Sequence, residues 1–145
     1  MEKQQFKISI GAPREKVWNV LWGKETYPQW TKPFSENSTA ETDWKKGSKV
    51  LFLDGKGQGM VAVIEENIPN EFMSIKHLGE VSNGVEDTTS EKVLQWAGAH
   101  ENYTLKTANG ETELVIDMDI TPEFAAMFSE IWPKALAKVK EIAEQ

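Results

Sequence analysis

A histidine and a tyrosine stand inside otherwise apolar alternations, and they are the side chains best placed for chemistry. His77 follows Met73 and Ile75 at steps of two, against Ser74 and Lys76. Residues two apart on a strand share a face, so the imidazole is expected to point with its apolar neighbours toward the concave side of a sheet. An imidazole in that setting suits a general base or a donor that orients a ligand. A histidine merely hydrogen-bonded near the open end of the sheet would show the same pattern. Tyr103 shares its face with Leu105 in the same way, and a buried phenol presents its hydroxyl either to a ligand or to a protein partner. No partnered catalytic group is visible beside His77, and His100, which follows a loop, is expected at the surface.

The remaining chemistry-bearing residues point to ordinary structure. A metal site needs converging imidazoles and carboxylates. His77 and His100 are separated by strand and loop, so no metal and no other cofactor is expected. Asp117 and Asp119 are two apart on a strand whose other face is Leu114, Ile116, Met118 and Ile120, so the pair reads as a solvated face. Gly55, Gly57 and Gly59 join two strands, with no following helix to hold a phosphate, and read as a hairpin. No serine or threonine sits in a nucleophile elbow, and the absence of cysteine excludes disulfide and thiolate chemistry.

At 145 residues the chain is expected to form a single domain, 1–145, with a real core. The net charge of −7 argues against a nucleic-acid partner and against an anionic membrane face. No run approaches the roughly 18 apolar residues of a membrane span, and Met1-Glu2-Lys3-Gln4-Gln5 lacks the apolar segment of a signal peptide. The cytoplasm is therefore the expected location.

The elements that must position His77 and Tyr103 follow from periodicity. Phe6, Ile8 and Ile10 alternate as a first strand, and Pro13 then opens a helix whose apolar side is Val17, Trp18, Val20, Leu21 and Trp22. Tyr27-Pro28-Gln29-Trp30 reads as a second helical turn. Strands are expected at Ser35–Asp43 (a weak edge), Val50–Leu53, Gly57–Glu66, Phe72–Leu78, Ala99–Thr107 and Leu114–Ile120, with hairpin signals at Asp54-Gly55 and Asn109-Gly110. Gly79–Gly98 reads as a long acidic loop with a mobile Gly79–Asp87 limb. The Thr88–Glu91 capping box is expected to start a short helix there, docking Val93, Leu94 and Trp96 as a lid near a cavity mouth.

The last stretch, Thr121–Gln145, is the longest helix pattern. Thr121 supplies a capping hydroxyl, and Phe124, Phe128, Ile131, Ala135, Leu136, Val139 and Ile142 form one face, widened by Met127 and Trp132. About 23 residues span roughly 34 Å. Pro133 is expected to bend this helix. The fold class is therefore α+β: a curved antiparallel sheet of about six to seven strands wrapped around a long C-terminal helix, with two short helices after the first strand.

That order resembles the helix-grip fold of the SRPBCC superfamily, which includes the START domains and the birch-pollen-allergen-like proteins. Four stretches are similar to its AHSA-like branch, related to the C-terminal domain of the heat-shock-protein ATPase activator. They are Ile10 to Trp18, Tyr27-Pro28-Gln29-Trp30, Trp44-Lys45-Lys46-Gly47-Ser48, and Trp132-Pro133-Lys134-Ala135-Leu136. The resemblance implies a cavity between sheet and final helix. Its expected lining is Trp22, Trp30, Met60, Ile64, Met73, Ile75, His77, Tyr103, Leu105, Met118, Phe124, Phe128 and Trp132, and its expected partner a lipid-like or other hydrophobic small molecule. Two alternatives stand beside this binding reading. One is a cyclase- or hydrolase-type enzyme using His77 and Tyr103. The other is a stress-response module that contacts a chaperone, although the co-chaperone's additional N-terminal domain has no room in this sequence. The expected assembly is a monomer or weak homodimer.

Overall fold

The alternations at the two ends of the sequence find each other. In a computed structural model, which describes all 145 residues, β1 (Glu2–Ile10) pairs antiparallel with β8 (Glu111–Ile120) along its whole length, from Glu2 opposite Ile120 to Ile10 opposite Thr112. Between them come α1 (Arg14–Trp22), α2 (Tyr27–Trp30), β2 (Thr39–Glu41), β3 (Lys49–Leu53), β4 (Gln58–Ile68), β5 (Phe72–Ser82), β6 (Val85–Asp87), α3 (Glu91–Leu94) and β7 (His100–Ala108). The final helix α4 is Pro122–Ala143. The eight strands form one antiparallel sheet in the order β1-β8-β7-β5-β4-β3-β2, with β6 on the free part of β5. None of the helices is long and apolar enough to cross a membrane.

Hairpin chemistry sets much of the register. Asn109 and Gly110 both have positive φ, 53° and 79°, as a type I′ turn requires. Asn83 and Gly84, at 50° and 83°, make the same turn. This second turn corrects the expected loop. β5 does not stop at Leu78 but continues to Ser82 and returns as β6, so the Gly79–Asp87 limb is a paired hairpin. Gly79 allows the approach: a Cβ there would lie 2.1 Å from the Asp87 carbonyl oxygen. The short helix also starts later than expected. Its cap is Ser90, whose side chain accepts from the Val93 amide, rather than Thr88. The weak edge strand shrinks to three residues at Thr39–Glu41.

Two irregularities bend the β4–β5 pair. Val61 faces Gly79 and Ala62 faces His77, leaving Leu78 as an extra residue, and Glu65 is the corresponding extra residue on β4. Such bulges sharpen local twist and re-aim side chains. Here the extra Leu78 resets the alternation, so that Glu80 reaches the concave side as His77 does.

One apolar cluster of 25 buried residues fills the space between the concave face, α1, α2 and α4. Local bonds lock its floor: the Trp30 indole donates to the Leu21 carbonyl at 3.0 Å, and the Thr26 hydroxyl donates to Val20 at 2.7 Å. α4 is used unevenly. Its second half buries Trp132, Ala135, Leu136, Val139 and Ala143, and its end is tied down by the Gly11 amide on Glu144 and the Lys16 ammonium on the Gln145 carbonyl. In its first half Phe124 and Met127 remain 43% and 45% exposed. The expected face is thus rotated. Trp132 is the anchor, Ile131 and Ile142 are half-buried, and the Thr121 hydroxyl makes no capping bond. Pro133 lies exposed at the border of the two halves.

This asymmetry generates a contrast. Trp132→Ala is expected to destabilise by about 3–5 kcal/mol, and Phe124→Ala by less than about 1 kcal/mol, as measured by denaturant unfolding. Equal costs would contradict the two-part helix. A second expectation concerns Asp87. Hydrogen bonds from the Ser90 backbone, the Ser90 side chain and the Thr89 backbone hold its carboxyl below the usual aspartate range. A lowered value stabilises the fold above the ordinary aspartate pKa, and that contribution is lost as pH falls through the folded value. Asp87→Ala is therefore expected to speed amide exchange across Glu91–Trp96 near neutral pH while leaving β1 and β8 unchanged. Unchanged exchange in α3 would refute that role.

Candidate functional site

Because α4 covers only part of the sheet, the concave face continues beyond the core as a cavity of about 580 Å³, lined by 24 residues of which 14 are hydrophobic. α2 and the segment after it supply Tyr27, Trp30, Thr31 and Phe34; β3 and β4 supply Phe52 and Met60. β7 and β8 supply Glu101, Tyr103 and Met118, and α4 supplies Phe124, Met127, Phe128 and Trp132. The walls are mutually packed rings. Tyr27 meets Trp30 edge-on at 5.4 Å, and Phe34 meets Trp132 edge-on at 4.9 Å. At the mouth, Lys92 and Trp96 come from the α3 segment, and Lys92 pairs with Glu80 at 3.3 Å.

The polar end is organised by Glu101. His77 and Glu101 lie on neighbouring strands, β5 and β7, two residues apart in register, since Ile75 faces Glu101. His77 Nε2 is 3.0 Å from Glu101 Oε1, and the Tyr103 hydroxyl donates to Glu101 Oε2. An ionised carboxylate only accepts, so a neutral imidazole here carries its proton on Nε2 and leaves Nδ1 as an acceptor. That atom is buried without a partner, as is the indole nitrogen of Trp132. The His77 backbone is held on both sides, its amide donating to Ala99 at 2.9 Å and its carbonyl accepting from Gly98 at 2.8 Å. Burial, followed by the nearby Glu101 charge, pushes both the Tyr27 and Tyr103 phenols well above the usual tyrosine range, with Tyr27 adding to the shift at Tyr103. A bridged imidazole–carboxylate–phenol array can orient a polar ligand group or move a proton at one.

Of the residues expected to line the cavity, Trp30, Met60, His77, Tyr103, Met118, Phe124, Phe128 and Trp132 do border it. Trp22, Ile64, Met73, Ile75 and Leu105 lie behind that surface in the packed core, where Trp22 backs Tyr103 at 4.7 Å. Among the expected lid residues only Trp96 borders the cavity; Val93 is fully buried outside it, and Leu94 is exposed. Glu101 was the missing partner of His77. It lies two residues before Tyr103, so the alternation that placed Tyr103 also placed it, but its meeting with His77 depends on strand register. Tyr27, Phe34, Phe52 and the Glu80–Lys92 pair were missed too.

His100 is not a free surface residue. It opens β7 on the other side of the sheet, half-buried, with its ring between Glu65 and Asp119 and its amide donating to Asp119 at 2.9 Å. Asp117 and Asp119 share that polar groove with Lys3, Gln4 and Gln5. The chain contains no cluster of three or more metal-ligating side chains.

The protein has two tyrosines, and both line this cavity. Their raised values stabilise the fold below the ordinary phenol pKa, and that contribution is lost as pH rises through the folded values. A spectrophotometric titration is therefore expected to show tyrosinate only together with unfolding. Phenols that ionise near about pH 10 in a chain with native circular dichroism would overturn the assignment.

Comparison with known proteins bears on the same architecture. The solution structure of the Aha1 dimer from Colwellia psychrerythraea superposes with a TM-score of 0.73 at 20% identity, covering 99% of this chain and 97% of that one. ChR145 from Cytophaga hutchinsonii gives 0.73 at 20% identity, covering 99% and 94%. DynU16, a putative protein in the dynemicin biosynthetic locus, gives 0.75 at 14% identity; all of this chain is covered, but only 48% of that longer one. No functionally curated protein matches the sequence. The family model for Activator of Hsp90 ATPase homolog 1-like proteins matches residues 11–144, and the chain belongs to that family.

Proposed function

We propose that this protein binds a hydrophobic, ring-bearing small molecule between its sheet and the first half of α4. The observation that carries the reading is the cavity itself: about 580 Å³, fourteen hydrophobic residues in its lining, and aromatic side chains on every wall. That volume is in the range of small-molecule sites, which are mostly apolar with a few convergent polar groups. Flat rings on the walls favour a flat ligand, because offset and edge-on ring contacts add to area burial. Met60, Met118 and Met127 give the lining adaptable volume.

A second reading, acid–base catalysis by His77 and Tyr103, is supported by Glu101. The carboxylate gives the histidine the orienting partner that a general base needs. Turnover of a bound compound that is lost in a folded His77→Ala variant would select it over simple binding. The interaction reading draws support from family membership alone, and a stable complex with a chaperone, formed without any small ligand, would select that reading.

Native mass spectrometry of the purified protein is expected to detect an apolar molecule carried at one per chain. Pyrene is expected to bind saturably, with Phe128→Ala weakening it about tenfold at little cost in stability. A protein that takes up neither, or a Phe128→Ala variant with unchanged affinity, would sink the binding reading.

A further inference from the structure

The inner, polar end of the cavity offers acceptors and negative charge, with almost nothing to meet an anion. Glu101 is its innermost charged group, with a side chain 16% exposed, and its partners are an imidazole and a phenol, not a lysine or arginine. The other charges of the lining are already matched. Glu80 is paired with Lys92, whose side chain stands 76% exposed at the mouth. Asp119 is turned toward Lys3 and His100 in the groove on the far side of the sheet. Lys92 is the only lysine or arginine that borders the cavity. His77, 8% exposed, keeps one buried ring nitrogen without a donor, and the Trp132 indole is the one fully buried donor of the lining that lacks a partner.

Resting on the reading of this cavity as a ligand site, we infer that it selects ring-bearing molecules whose polar group donates hydrogen bonds and carries no negative charge (an alcohol, a phenol or an amine) and rejects carboxylates. A donating group meets the Glu101 carboxylate in a charge-assisted bond, and a hydroxyl can in addition accept from Trp132. A ligand carboxylate brings only acceptors and a second negative charge. It faces Glu101 where the dielectric is low and no free cation offsets it. Simple fatty acids are therefore the wrong occupants of a cavity that is otherwise apolar enough for them.

The test is a titration of the full chain near neutral pH with four matched probes: pyrene, pyrenemethanol, pyrenemethylamine and pyrenecarboxylate. The alcohol and the amine are expected to bind at least about tenfold more tightly than the carboxylate. Glu101→Gln is expected to narrow that gap to less than about threefold, and Glu130→Gln, on the exposed side of α4 and outside the cavity lining, to leave it unchanged. A carboxylate that binds as well as the alcohol overturns the inference, and so does a folded Glu101→Gln variant with the wild-type ratio or a Glu130→Gln variant that abolishes it. If Glu101→Gln does not fold, the wild-type ratio decides alone. Binding of pyrene with no preference among its derivatives removes the selectivity but leaves the cavity reading standing. Failure of pyrene and all its derivatives to bind removes both.

Discussion

Trp132 meets Phe6, Trp30, Phe34 and Tyr103 at ring-centroid distances between 4.9 and 6.2 Å, and this contact sets where the final helix can lie. From there to Ala143 the helix is pressed into the concave face and tied at its end to the β1–α1 junction. Before it, the helix carries too little buried surface to close the sheet, and Phe124, Met127 and Phe128 overhang a gap. Interiors pack to crystal-like density, so a void of this size persists only where its walls are held from behind. Here Trp22 supports Tyr103, and Leu21 holds the Trp30 indole by a backbone bond. The cavity is thus a consequence of anchoring a long helix by half its length.

Stability alone does not explain what stands at its inner end. Moving a carboxylate out of water costs several kcal/mol even after relaxation, and the two hydrogen bonds to Glu101 offset that only in part. Apolar residues of similar volume at 77, 101 and 103 would pack against Phe52 and Trp132 without that cost. His77 Nδ1 and the Trp132 indole nitrogen also lie buried without a partner, a further cost to the fold at this end of the cavity. The polar trio therefore adds little to the fold's stability, and that cost is what supports assigning it to the proposed ligand site.

The fold was legible because its signals were local. Phe6–Ile10 and Leu114–Ile120 alternate cleanly, Asn109-Gly110 names its own turn, and the apolar spacing of α4 needs no partner to be read. The site was legible only in part, because it depends on what lies opposite what. His77 and Glu101 are 24 residues apart and meet through the β5–β7 register, which no periodicity encodes. The same limit separated cavity wall from core: Met73 and Ile75 share the face of His77, yet they sit in the packed cluster while His77 borders the cavity. Asn83-Gly84 carried the same two-residue signal as Asn109-Gly110, and the acidic composition around it masked a hairpin as a loop.

That hairpin connects the outer and inner parts of the site. Strict alternation from Ile75 would carry His77 and Gly79 to the concave side and turn Glu80 away. The extra residue Leu78 resets the phase, so Glu80 faces inward beside Met60 and reaches Lys92 at the mouth. The Gly98 and Ala99 backbone that closes the α3 segment bonds directly to His77. The stretch from Gly79 to Ala99 is therefore continuous with the polar end of the cavity at both of its ends. It helps to build the wall and the rim together, through Glu80, Lys92 and Trp96 in the lining and the Gly98 and Ala99 bonds to His77.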